Sequence, residues 1–334
     1  MSTPHSGGSR MRAYLRFILA VLWFFAAHSL ARSGAQGLTN EQLTPLVEQA
    51  MLLFLLLSGY ACLGFWIDRQ PHPLNAQGLP RRAGWPGEAG LGLALGWALA
   101  VVCVLALVAD GGVAIVLVLQ LSAWKQLAID LIFFALAALA EEVAFRGYGF
   151  QRLIDAVGPM GATLGIAAYY AIVQSLLPGA SHASFAVSVA FSLALSLAYL
   201  RTRALWVGWG INFGWKAGRA LVFGLAISGV SSHSPVVEGN PMGAFWLTGG
   251  GFGLDASWFA FVVLLLAIPV VYRVTRDLDF IYNAPVIIAA GIPVDLSAAA
   301  HQQHEAAIGA VDPAPSGLVQ IAPTPAQPPR STLL

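Results

Sequence analysis

Charge is what this 334-residue chain has least of. Asp, Glu, Lys and Arg make up 10% of it, hydrophobic residues 57%, and mean hydropathy is +0.72. Soluble domains carry about 25% charged residues, so the composition excludes an ordinary water-soluble fold and indicates a polytopic membrane protein. A net charge of +1 offers no basic footprint for a nucleic-acid partner. Cysteine is nearly absent too. Cys62 and Cys103 both lie in apolar runs, which excludes a disulfide framework and a zinc motif and leaves small buried filler as their role. There is no P-loop, dinucleotide fingerprint or internal repeat, and nothing beside Gly249-Gly250-Gly251-Phe252-Gly253 marks a phosphate site.

What the chain does have is apolar runs of membrane length. A spanning helix needs about 20 apolar residues, and such runs fall at about 14–31, 51–67, 89–109, 127–145, 162–177, 183–200, 205–227 and 256–274. The expected fold is all-α, a polytopic transmembrane helical bundle of about eight spans. Residues 112–121 are too short to span and read as a re-entrant piece or an extension. The Gly- and Ala-rich third span permits close helix packing. Arg10, Arg12 and Arg16 precede the first run without a cleavage site, which reads as a retained helix. With the N-terminus inside, these arginines share the cytoplasmic side with Arg69, Arg81, Arg82, Arg146, Arg152, Arg201, Arg203, Arg273 and Arg276, while Arg32 and Lys125 fall outside. That asymmetry places both termini in the cytoplasm. The implied localisation is multi-pass in a bacterial inner or plasma membrane. The expected organisation is two spans and a cytoplasmic loop in 1–83, a transmembrane core in 84–276, and a disordered Ala/Pro-rich tail in 277–334.

One stretch concentrates charge against this background: Glu141-Glu142-Val143-Ala144-Phe145-Arg146-Gly147, directly after ten uncharged residues. Intramembrane charge is costly unless paired and marks function by default. Glu142 and Arg146, four apart, share a helix face; Glu141 points about 100° away, free to face a cavity. The blander reading is a half-solvated ion pair at a helix end.

The motif resembles the first signature of the CPBP family, the intramembrane peptidases related to type II CAAX prenyl proteases and also called Abi proteins. Further stretches are similar in the same order: Tyr199-Leu200-Arg201-Thr202-Arg203, the helix Gly210-Ile211-Asn212-Phe213-Gly214-Trp215-Lys216, and the loop from Leu247 to Ser257. The resemblance covers roughly residues 84–267. It implies a conical intramembrane cavity where glutamates and two histidines activate water against a peptide bond, in some accounts with a divalent metal such as zinc. It also implies the lipid bilayer and a hydrophobic or prenylated peptide, or another membrane protein, as partners.

This chain departs from that pattern at the histidines. The second signature, an aromatic residue, three apolar residues and histidine, is matched by Tyr170-Ala171-Ile172-Val173-Gln174. The third, His-x-x-x-Asn, is matched by Asn212-Phe213-Gly214-Trp215-Lys216. Gln174 and Asn212 replace the histidines and Lys216 the asparagine. An amide neither takes a proton near neutral pH nor binds a metal at useful strength, though it still hydrogen-bonds. The metal ligands are therefore not retained and no cofactor is expected. Lys216 and Arg219 lie in the seventh span and need anionic partners, for which Glu141 and Glu142 are the candidates. A Lys216–Glu141 pair would make Glu141 a poorer base.

Other histidines do not repair the site. His182 and His233 fall in outer loops, His28 reads as a packed core residue, and His301-x-x-His304 is isolated in the tail. Interface anchoring and packing explain Trp206, and a groove-lining role for Trp215 is the lesser reading. The sequence thus points to a degenerate peptidase that acts by binding. The alternative is an active endopeptidase in which the glutamate pair, Glu141 and Glu142, activates water with Gln174 and Asn212 as donors. A transporter is disfavoured by the absence of repeated halves.

Overall fold

The computed structural model describes residues 7–230, 236–283, 286–287 and 293–294. His233, His301, His304 and most of the expected tail lie outside them. In chain order the elements are α1 (Gly7–Leu38), α2 (Thr44–Cys62) with a π turn over Leu63–Ile67, a short α3 (Pro73–Ala76), α4 (Trp85–Ala109), β1 (Val113–Leu117), α5 (Leu121–Arg146), α6 (Tyr148–Ser175), α7 (His182–Thr202), α8 (Trp206–Ala217) with a π turn over Gly218–Val222, β2 (Val237–Pro241), α9 (Phe245–Thr248), α10 (Trp258–Val274) and α11 (Arg276–Asn283). Two further strands, β3 (Val286–Ile287) and β4 (Pro293–Val294), pair with each other. The chain divides into two units, Met1–Phe280 and Ile281–Leu334, and the site lies wholly in the first.

The all-α expectation holds, and four helical stretches are long and apolar enough to cross a membrane: Gly8–Leu38, Thr44–Ile67, Trp85–Ala109 and His182–Thr202. This is an integral membrane protein. Of the other expected spans, α5 holds five charged residues, α6 is broken at Gly158 and Pro159, α8 is only 12 residues, and α10 is apolar but shorter. The seventh run ends at Val222 rather than Ile227, because the chain turns off at Gly224 (φ +65°), where a side chain would strike the Val237 carbonyl. Within residues 112–121 the chain is extended over Val113–Leu117 and becomes helical at Leu121, where α5 begins. Their aliphatic residues form β1, which pairs antiparallel with β2 from the Gly-rich loop, Val113 opposite Pro241 and Leu117 opposite Val237. Residues 276–283, at the head of the expected tail, fold as α11, with Arg201 holding Asp279 at 3.2 Å.

Glycine sets how the core closes. A Cβ on Gly92 or Gly96 of α4 would lie 2.2 or 2.1 Å from the carbonyl oxygens of Val207 or Ile211, and one on Gly210 of α8 would lie 2.3 Å from that of Ala89. The two backbones therefore touch, as small-residue spacing allows in membranes, and α8 is fixed against α4. Trp209 Nε1 donates to the Ala135 carbonyl at 2.9 Å, tying α8 to α5 as well. The α6 helix is broken at Gly158 (φ +80°) and Pro159, so its second half enters the bundle at its own angle. Ser181 caps α7 in a reciprocal box with Ser184.

Loop contacts fall into two groups. Gln42 bonds Gln126 at 2.9 Å, and β1 bonds β2. Separately, Arg16 pairs with Asp68 at 2.6 Å, Leu205 N donates to the Gly78 carbonyl at 2.7 Å, Trp206 Nε1 to that of Pro80 at 2.9 Å, and Arg82 to that of Thr202 at 3.0 Å. Trp206 is packed, as expected, against this loop, its ring 4.7 Å from that of Trp85 at a 40° tilt. Cys103 is buried as expected. Cys62 is exposed on α2, because its side of the helix faces away from the core.

Candidate functional site

α5 delivers Glu141, Glu142 and Arg146 in its last turns, and Gly147 ends the helix where a Cβ would lie 2.4 Å from the Val143 carbonyl oxygen. Arg146 Nη1 donates to Glu142 Oε1 at 3.0 Å, with both side chains at most 1% exposed. The pair is thus deep in the bundle, not a half-solvated helix end. Arg146 Nη2 also donates to Ser192 Oγ of α7 at 2.8 Å, and its guanidinium lies 5.4 Å from the centre of the Tyr170 ring. Gly208 lets α8 approach: a Cβ there would meet Glu142 Oε2 at 2.6 Å.

Glu141 turns the other way, as its 100° offset requires. Its Oε1 is ion-paired with the Lys216 ammonium, and its Oε2 accepts from Asn212 Nδ2 at 3.0 Å. The same Asn212 amide donates to Glu142 Oε1 at 3.3 Å and so bridges both carboxylates. Gln174 stands one step out, its Nε2 donating to Tyr170 Oη at 2.9 Å, and that hydroxyl lies 3.5 Å from Glu141 Oε2. The six residues singled out in the sequence therefore meet: five in direct contact, and Gln174 through Tyr170.

Arg219 does not join them. It pairs with Asp255 at 2.8 Å and lies 4.1 Å over the Trp215 ring. Asp255 Oδ2 in turn accepts from the backbone N and Oγ of Ser228, both at 3.0 Å, pinning the returning loop. Sequence reasoning missed Asp255, whose only signal was its place in the quoted 247–257 loop, and missed Ser192 and Gly208, which carry none. Tyr170 was visible only as the aromatic of the second motif. Trp215 is buried beneath the Arg219 guanidinium and lines a water-sized cavity beside the cluster.

A cavity of about 20 Å³, lined by Tyr170, Gln174, Ser188, Trp215, Lys216 and Asp255 among others, lies beside this cluster. That is room for about one water, and it has no room for a peptide. His182 opens α7 but is not among the lining residues, although Ser184 is. His28 packs against Phe24, ring centres 6.2 Å apart.

A divalent metal does not suit this donor set. Lys216 and Asn212 engage the oxygens of Glu141, and Arg146 engages Glu142 Oε1. Among the fully buried oxygens of this set, Glu142 Oε2 and Asn212 Oδ1 are left without a hydrogen-bond partner, short of the three protein ligands a catalytic zinc site uses. Among the described residues no three His, Cys, Asp or Glu gather as a ligand set.

Residues 123–218 match the family model described as Type II CAAX prenyl endopeptidase Rce1-like. That span runs from the start of α5 to the end of α8 and contains all six residues. No curated protein and no solved structure matches the chain.

Proposed function

We propose that this membrane protein, whose α5–α8 core is of the CPBP/CAAX-protease family, is a degenerate peptidase that binds a hydrophobic membrane-inserted peptide or another membrane protein without cutting it. The observation that carries the reading is the Lys216–Glu141 ion pair. A general base needs a free lone pair within reach of the proton it takes. One lone pair on each Glu141 oxygen is taken, by Lys216 and by Asn212, and the two positions that resemble the family's histidines hold Gln174 and Asn212, so no imidazole stands by to pass the proton on. The three buried or half-buried cations Arg146, Lys216 and Arg219 pair with Glu142, Glu141 and Asp255. Each of the three cations therefore has its own carboxylate, two pairs inside the cluster and the Arg219–Asp255 pair beside it.

The alternative, an active endopeptidase, draws on the partial exposure of Glu141, 26% at its side chain, and on the water-sized cavity nearby. A hydrophobic peptide labelled with an acceptor fluorophore, mixed into vesicles with donor-labelled protein, separates the two. Binding predicts energy transfer with the peptide mass unchanged after incubation. A shortened peptide from wild type but not from Glu141→Ala sinks the binding-only reading.

We also read the bundle as eight crossings with both termini cytoplasmic. Support comes from the loop contacts: each joins segments that alternate crossings put on the same side, such as Arg16 with Asp68, or β1 with β2.

A further inference from the structure

The β1–β2 ribbon presents aliphatic residues where a water-exposed ribbon would not. Ile115 and Leu117 lie on one face and Val116 on the other, yet all three are exposed, Leu117 at 66%, and Leu119 just beyond is 74% exposed. Water disfavours such a contiguous apolar patch. The hydrocarbon core is equally excluded. A two-stranded ribbon leaves an edge of β1 unpaired by any strand, and open sheet edges do not occur in lipid interior. The level between these two media is the bilayer interface.

Three placements agree with that level. β1 follows within a few residues of Ala109, where the membrane-length helix α4 ends. Trp124 at the start of α5, Trp246 after β2 and Trp258 at the start of α10 are all exposed around the same end of the bundle, and tryptophan concentrates at membrane–water interfaces. The ribbon is itself two-sided in chemistry. Val116 and Ala114 share their face with Glu238 and Asn240, both exposed, which supplies a polar rim toward water.

We infer that the β1–β2 ribbon is an interfacial anchor whose aliphatic tip, Ile115 to Leu119, enters the headgroup boundary of the bilayer while Glu238 and Asn240 face water. With neither strand carrying a Lys or Arg, the attraction is apolar and does not require anionic lipid. The anchor would hold the Gly-rich loop, and with it Asp255, at a fixed depth above the carboxylate cluster.

The test uses nitroxide labels in the full chain reconstituted in phosphatidylcholine vesicles. Leu117→Cys, Leu119→Cys and Glu238→Cys are made singly on Cys62→Ala, since Cys103 is buried and does not label. All three substituted positions are exposed, so the label displaces no core. Collision of each label with oxygen, which partitions into lipid, and with a water-soluble nickel chelate is read by power saturation. The expected result is an oxygen-to-nickel ratio at 117 and 119 several-fold above that at 238, unchanged when phosphatidylglycerol is added. Equal ratios at the three positions would mean a ribbon solvated on all sides and overturn the inference. So would low accessibility to both reagents at 117 and 119, which would mean a protein partner or a second copy covers the tip.

Discussion

Arg146 holds three groups at once: the Glu142 carboxylate, the Ser192 hydroxyl and the face of Tyr170. Removing it strands a fully buried carboxylate, which typically costs about 3–5 kcal/mol. Arg146→Ala is therefore expected to lower unfolding stability in detergent by that amount, read from denaturant titration. Lys216→Met leaves Glu141 in a milder position. Glu141 is part-exposed and keeps the Asn212 amide, so the loss should be clearly smaller than for Arg146→Ala. Equal losses would mean that Glu141 is as desolvated as Glu142. The four-residue spacing made the Glu142–Arg146 pair legible in the sequence. The Lys216–Glu141 pair spans 75 positions and was legible only because the motif order brings α5 and α8 together. Arg219 was assigned to the glutamates because no sequence rule connects it to Asp255, 36 residues away across a loop.

At the level of elements, α8 is short but the most constrained piece of the site, locked to α4 by glycines and to α5 by Trp209. Two glycines of α4 make an internal comparison. A methyl on Gly96 would sit 2.1 Å from the Ile211 carbonyl oxygen and force the helices apart, while a methyl on Gly90 meets nothing within 4 Å. Gly96→Ala should destabilise the protein and shift Asn212 and Lys216 from the glutamates. Gly90→Ala should be neutral or stabilise by up to about 1 kcal/mol through helix propensity. Thermal unfolding of the pair in one detergent checks both. The helical runs were legible from hydropathy, including the permissive glycines of the third run. The β1–β2 ribbon was not, because an aliphatic run of that length fits a strand or a helix equally, and its partner strand lies beyond four intervening helices.

Across the whole molecule, sequence and structure agree on a membrane-embedded helical protein with a buried acid cluster, and the core from residue 123 to 218 carries the family likeness. We propose that Gln174, Asn212 and Lys216, set around the two carboxylates, leave this site binding a peptide without cutting it. That claim is tested most directly by one measurement: hydrolysis of a membrane-inserted reporter peptide, a substrate of an intact relative, by wild type and by Gln174→His/Asn212→His/Lys216→Asn in the same vesicles. The account predicts no product from wild type and measurable product from the triple variant. Product from wild type that disappears in Glu141→Ala would contradict it.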